Sequence, residues 1–167
     1  MELRIAGTAN DSIVDGPGIR FTVFTQWCPH HCEGCHNPQT HDFEGGEICD
    51  TAELLKKISG NPLLDGVTFS GGEPFCQAKA LAELGREVKK LGLDIITYTG
   101  YEFEELYKNR EKNGWGELLE VTDILIDGKF ILSQKDWNIK FRGSSNQRYL
   151  DCRASMETGI ATDAEIK

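Results

Sequence analysis

The sequence predicts an α/β fold: a parallel sheet wound as an open, partial (β/α) barrel of about five or six units. Three observations predict it. Strand-like and helix-like stretches alternate along the chain. The last three strand-like stretches begin roughly 30 residues apart, the size of one βαβ unit. The chain has 167 residues, whereas a closed eight-stranded barrel typically takes ~250. The length suits a single domain over residues 1–167.

In order, Leu3-Arg4-Ile5-Ala6-Gly7 reads as a short strand. Asp15-Gly16-Pro17-Gly18-Ile19-Arg20 reads as a turn, with Pro17 fixing its own φ. Arg20 to Thr25 is aromatic and β-branched and reads as a strong strand. It delivers the chain into a loop that runs to about Ile48, and a loop this long in a compact domain is usually functional. Asp50-Thr51-Ala52-Glu53 is an N-cap signature, and Leu54, Leu55 and Ile58 follow at helical spacing until Asn61-Pro62. Gly66 to Ser70 is a strand that runs into Gly71-Gly72-Glu73-Pro74. Leu81, Leu84, Val88 and Leu91 share one helical face, and Gly92 ends that helix. Leu93 to Tyr98 is the next strand, Glu102 to Glu120 a broken helical region, and Val121 to Ile126 a further strand. Beyond Lys129 the periodicity weakens. In parallel α/β sheets ligands bind at the carboxyl ends of the strands. Four segments fall there: the loop after Thr25, Gly71 to Pro74, Thr99-Gly100 and Asp127-Gly128.

The loop after Thr25 carries Cys28, Cys32 and Cys35, a C-x3-C-x2-C run. Four thiolates complete an ordinary iron–sulfur cluster; three leave one iron open, and an open position is the mark of a metal site that does chemistry. Two blander readings stand beside it. A disulfide would leave one cysteine over. A zinc ion could recruit His30, His31 or His36, although zinc sites usually pair one C-x2-C with a second cluster. His30 and His31 otherwise read as solvated loop residues. Cys49 and Cys152 read as non-ligands, and Cys76 as a bystander thiol. Gly71 and Gly72 allow close approach to the backbone, and Glu73 beside them suits a charged amine; the alternative is a plain tight turn. Glu102, Glu104 and Glu105 read as a solvated helix face.

Six cysteines with no apolar leader point to a reducing cytoplasm. No run approaches the ~18 apolar residues of a membrane helix. The net charge of −9 argues against non-specific binding to nucleic acid or to an anionic membrane.

Taken together, Cys28-x3-Cys32-x2-Cys35 and Gly71-Gly72-Glu73-Pro74 resemble the radical S-adenosylmethionine superfamily. Val14-Asp15-Gly16-Pro17-Gly18-Ile19-Arg20 resembles the opening segment of its activating enzymes for glycyl-radical enzymes. The short length, Cys35-His36-Asn37-Pro38 and the tail from Phe141 to Arg148 resemble the branch that acts on anaerobic ribonucleoside-triphosphate reductase. The resemblance implies a radical S-adenosylmethionine type of partial barrel and a [4Fe-4S] cluster held by Cys28, Cys32 and Cys35. It implies S-adenosylmethionine as cofactor, with its methionine part near Gly71, Gly72 and Glu73 and its nucleoside near Gly34, Cys35 and His36. The implied activity is reductive cleavage to methionine and a 5′-deoxyadenosyl radical, which abstracts a hydrogen from a glycine of the reductase. The implied partners are the glycyl-radical subunit of that reductase and reduced flavodoxin or a similar electron donor. Many superfamily members carry an aromatic residue just before the third cysteine; Gly34 departs from that pattern. The rivals are an activase of another glycyl-radical enzyme, such as pyruvate formate-lyase, and a non-catalytic iron–sulfur or zinc module. An electron carrier would normally close its cluster with a fourth cysteine.

Overall fold

The computed structural model describes residues 1–35 and 38–166. The strands are β1 (Glu2–Ser12), β2 (Arg20–Thr25), β3 (Glu47–Asp50), β4 (Gly66–Gly71), β5 (Asp94–Tyr98), β6 (Ile124–Asp127) and β7 (Arg148–Asp151). The helices are α1 (Thr51–Ser59), α2 (Ala78–Lys90), α3 (Phe103–Lys108), α4 (Trp115–Val121) and α5 (Cys152–Thr158). One sheet holds all seven strands in the order β3-β1-β2-β4-β5-β6-β7, and β3 and β7 form its two unjoined edges.

The α/β class holds, but the sheet is mixed rather than parallel. Only β2, β4, β5 and β6 run parallel to one another. β1, β3 and β7 pair antiparallel. A parallel pairing needs a crossover of a dozen or more residues, usually a helix. The β1–β2 connection is too short for one, and the segment between β6 and β7 holds only a 3₁₀ turn, Leu132–Gln134. The expected run of five or six equivalent units is therefore a four-stranded parallel centre with antiparallel margins.

Side chains alternate across the sheet, as the period of two requires. Phe21, Val23, Val67, Phe69, Ile95, Leu125 and Leu150 join the larger core. Beneath the helices they meet Leu54 and Ile58 of α1, Leu81, Leu84 and Val88 of α2, and Leu118 of α4. On the opposite face Ile96, Ile126 and Tyr149 form a smaller cluster with Tyr98 and Phe141. Arg20 lies on that second face. It is fully buried, with Nε donating to Thr68 Oγ1 at 2.7 Å and Nη2 paired with Asp94 at 2.6 Å.

Asp50 caps α1 as its sequence predicts, accepting from the Ala52 N–H at 2.9 Å. Leu91 departs from the expected stripe; it lies past the end of α2 and is exposed. Val121 closes α4 instead of opening a strand. Among the described residues no helix is long and apolar enough to cross a membrane.

Candidate metal and cofactor site

Because β2, β4, β5 and β6 are parallel neighbours, their carboxyl ends share one rim. Hydrogen bonds stitch it together. The N–H of Gly72 donates to Thr25 O, that of Glu73 to Trp27 O, and that of Thr99 to Ile126 O.

Glu73 is the hub of the rim. It is fully buried. Its carboxylate accepts from Thr99 Oγ1 at 2.9 Å, from the Gly100 N–H at 2.7 Å and from the Phe75 N–H at 3.0 Å. His30 Nε2 stands 2.6 Å from Glu73 Oε1. A buried carboxylate is tolerable only when its lone pairs are met in this way. Sequence reasoning placed Glu73 at the rim but not this network, whose members lie 26 and 43 residues away. The His30 side chain is only 6 % exposed and lies edge-on to Tyr101, so the reading of His30 as a solvated loop residue is corrected. His31 does keep an exposed position, ring to ring with His41.

The His30–Glu73 contact holds the cysteine loop against the rim. Cys28 is buried, whereas Cys32 and Cys35 are partly exposed. The Cys35 N–H donates to Cys32 O at 3.1 Å, tightening the turn between them. Burial pushes the Cys28 thiol up to about 11, while the backbone N–H groups of His30 and His31 favour its thiolate. Burial also raises Cys32, against a backbone N–H from Phe130. Amides aimed at sulfur suit thiolates bound to metal, so the donor set fits a cluster that takes three protein thiolates. Among the described residues no three His, Cys, Asp or Glu side chains are grouped to hold a metal ion.

Gly34 sits between these cysteines at φ +73°, a conformation that favours glycine. A Cβ there would lie 2.8 Å from Leu132 Cδ1 and 3.4 Å from Phe130 Cε1. The space beside the third cysteine is thus filled by the segment after β6, which the weak periodicity beyond Lys129 did not reveal. At Gly72 a Cβ would collide with the Trp27 backbone carbonyl, so the chain that approaches this glycine is the cysteine loop itself. Gly71 joins it at the end of β4. His36 lies outside the described residues.

The other cysteines are accounted for within the chain. Cys152 is fully buried at the start of α5, its Sγ donating to Leu119 O. Cys49 lies on edge strand β3. Cys76 is half-buried, accepts a hydrogen bond from the Tyr101 hydroxyl, and is pushed up to about 12 by burial and by Glu73 and Cys28 nearby. Glu102, Glu104 and Glu105 are exposed, as expected of a solvated helix face, and from there Glu104 pairs with Arg148 at 2.6 Å.

Residues 14–150 match the family described as 4Fe-4S single cluster domain. The anaerobic ribonucleoside-triphosphate reductase-activating protein of Haemophilus influenzae is 34% identical over 145 residues, covering 81% of this chain and 89% of its own length. The protein of the same name from Vibrio cholerae is 37% identical over the same shares. The pyruvate formate-lyase-activating enzyme of Clostridium pasteurianum is 39% identical over 117 residues, 65% of this chain but 49% of that enzyme. With three cysteines on one loop, a carboxylate-centred rim and these likenesses along most of its length, the chain belongs to the 4Fe-4S single cluster domain family and, within it, to the anaerobic ribonucleoside-triphosphate reductase-activating proteins.

Proposed function

We propose that the chain is a radical S-adenosylmethionine activase that installs a glycyl radical on anaerobic ribonucleoside-triphosphate reductase. The observation that carries this reading is the placement of the three-cysteine loop directly on the Glu73-centred rim of four parallel strands. The relatives that share its length support the choice of target, because the chain spans 89% of them and only 49% of the pyruvate formate-lyase activase.

In this reading Cys28, Cys32 and Cys35 hold the [4Fe-4S] cluster. Held by these residues, the cluster would supply the one electron for reductive cleavage of S-adenosylmethionine to methionine and a 5′-deoxyadenosyl radical, which would take a hydrogen from a glycine of the reductase. The chain's own residues fix where this happens. Buried Cys28 anchors the inner side of the loop, and the partly exposed Cys32 and Cys35 leave its outer side accessible. Gly71 and Gly72 offer backbone to the methionine part, and Gly34, Cys35 and His36 flank the nucleoside. Glu73 serves that site through His30, Thr99 and Gly100, since its carboxylate is already engaged by them. Residues 1–167 act as one activase domain of partial-barrel type, which the single continuous sheet supports. The reading places the protein in the cytoplasm, with reduced flavodoxin or a similar protein as its electron source.

The test is anaerobic reconstitution with iron and sulfide, reduction, and addition of S-adenosylmethionine with and without the reductase. Formation of 5′-deoxyadenosine, methionine and a glycyl-radical signal on the reductase is the expected result. Cys32→Ala abolishes the cleavage and Cys152→Ala retains it. Deoxyadenosine without radical transfer refutes the target; neither product in an iron-loaded, reduced sample refutes the chemistry.

A further inference from the structure

We propose that the strap formed by residues 129–142 is the docking face for a one-electron donor protein whose redox group is rimmed by acidic side chains. This rests on reading Cys28, Cys32 and Cys35 as the cluster ligands.

The strap touches the cysteine loop. Leu132 and Phe130 cover the face of Gly34, and the Phe130 N–H and the Lys129 charge both act on Cys32. Cys32 and Cys35 are also the partly exposed members of the ligand set. The partly exposed side of the cysteine loop therefore lies beside the strap, where an electron would enter.

Charge singles out the same place. The chain carries −9 overall, yet residues 129–142 hold Lys129, Lys135, Lys140 and Arg142 against one acid, Asp136. The three lysines are exposed and Arg142 is half-buried. Among the described residues none of these four has a carboxylate within ion-pair distance, in contrast to Arg148, which Asp127 and Glu104 neutralise. Apolar surface accompanies the cations. Trp137 is 81 % exposed, Leu132 45 % and Ile131 37 %, with Lys135 Nζ held 4.0 Å above the Trp137 ring. Exposed aromatic and aliphatic anchors ringed by one sign of charge are what a docking face requires. An acidic partner is repelled by the rest of this acidic chain and steered to the strap. In the step itself the donor loses one electron and the cluster gains it; no bond forms or breaks.

The experiment uses the reconstituted protein and photoreduced flavodoxin as the probe, following loss of the cluster absorbance by stopped flow. The wild-type rate is expected to fall steeply with added salt, and the Lys135→Glu/Lys140→Glu double variant to be about tenfold slower or more at low salt. Trp137→Ala slows the reaction while keeping the salt slope. Deoxyadenosine formation with dithionite is unchanged in the double variant, which also shows that it is folded. Equal flavodoxin rates in the double variant and the wild type overturn the proposal. So does a double variant that keeps its flavodoxin rate but loses glycyl-radical formation under dithionite, because the strap then serves the reductase. If wild type reduced by dithionite yields no deoxyadenosine, the activase reading fails, and flavodoxin-driven cluster reduction still judges the docking face.

Discussion

Glu73 shows how much one side chain can organise. Its carboxylate terminates four donors from three segments: the cysteine loop through His30, the end of β5 through Thr99 and Gly100, and the turn after β4 through Phe75. Glu73→Ala strands these donors in a site with no solvent to replace the acceptor. It is expected to cost about 3 kcal/mol or more of stability, on the scale of breaking a buried charged network. Urea denaturation of the metal-free protein measures this without any contribution from the cluster. An unchanged midpoint would mean that the carboxylate is held for ligand contact and not for the rim. Residue-level reading of the sequence named Glu73 correctly as a rim residue, because it follows two glycines at a strand end. It missed His30, because nothing in Cys28-Pro29-His30-His31-Cys32 distinguishes a histidine whose partner is 43 residues away.

At the scale of elements, the turn before β2 is a clamped segment. Arg20 reaches Thr68, the carbonyls of Pro17 and Val67, and the Asp94 carboxylate. Asp15 accepts from Ser12 and Thr22 and offers its carbonyl to Thr68. Two side chains of one short segment thus bind it to β2, β4 and β5. Arg20→Ala removes a fully buried guanidinium, leaves several acceptors unmet and opens a void. The expected loss is about 3 kcal/mol, read from the shift in the denaturant midpoint. A loss under about 1 kcal/mol would show that solvent reaches the site and replaces the guanidinium. The sequence marks this segment as a turn through its glycines and Pro17; it carries no local sign of the clamp, since Thr68 and Asp94 belong to other strands.

At the scale of the whole molecule, Arg148 ties the last strand to the parallel centre. Its guanidinium pairs with buried Asp127 at the end of β6 and with Glu104 on α3. Arg148→Ala leaves the Asp127 charge uncompensated, with an expected cost of about 3–5 kcal/mol. The pH dependence has a definite sign. Hydrogen bonding to Arg148 holds Glu104 below its ordinary 4.5. A depressed carboxyl contributes stability above its unfolded value and loses it as pH falls through the folded value. In the wild type this contribution is therefore present above about pH 4.5 and declines in more acid solution. Arg148→Ala removes the Glu104 component, so the stability difference between the two proteins narrows below that point. A difference that stays constant through the acid range contradicts the pairing.

The sequence by itself determined the local features of this protein. Cys28, Cys32 and Cys35 are readable because their spacing on one loop is a property of adjacent residues. The central strands and α1 and α2 are readable because apolar periodicity and the Asp50 cap are local too. Tertiary structure alone decided that β1, β3 and β7 run antiparallel, because direction depends on what each strand finds as a neighbour. Pairing likewise created β3 and β7 as four-residue strands, too short to show periodicity. It also decided that Leu132 and Phe130 fill the space beside Gly34 and that His30 turns inward to Glu73. Such contacts join residues tens of positions apart, and folding alone brings them within reach.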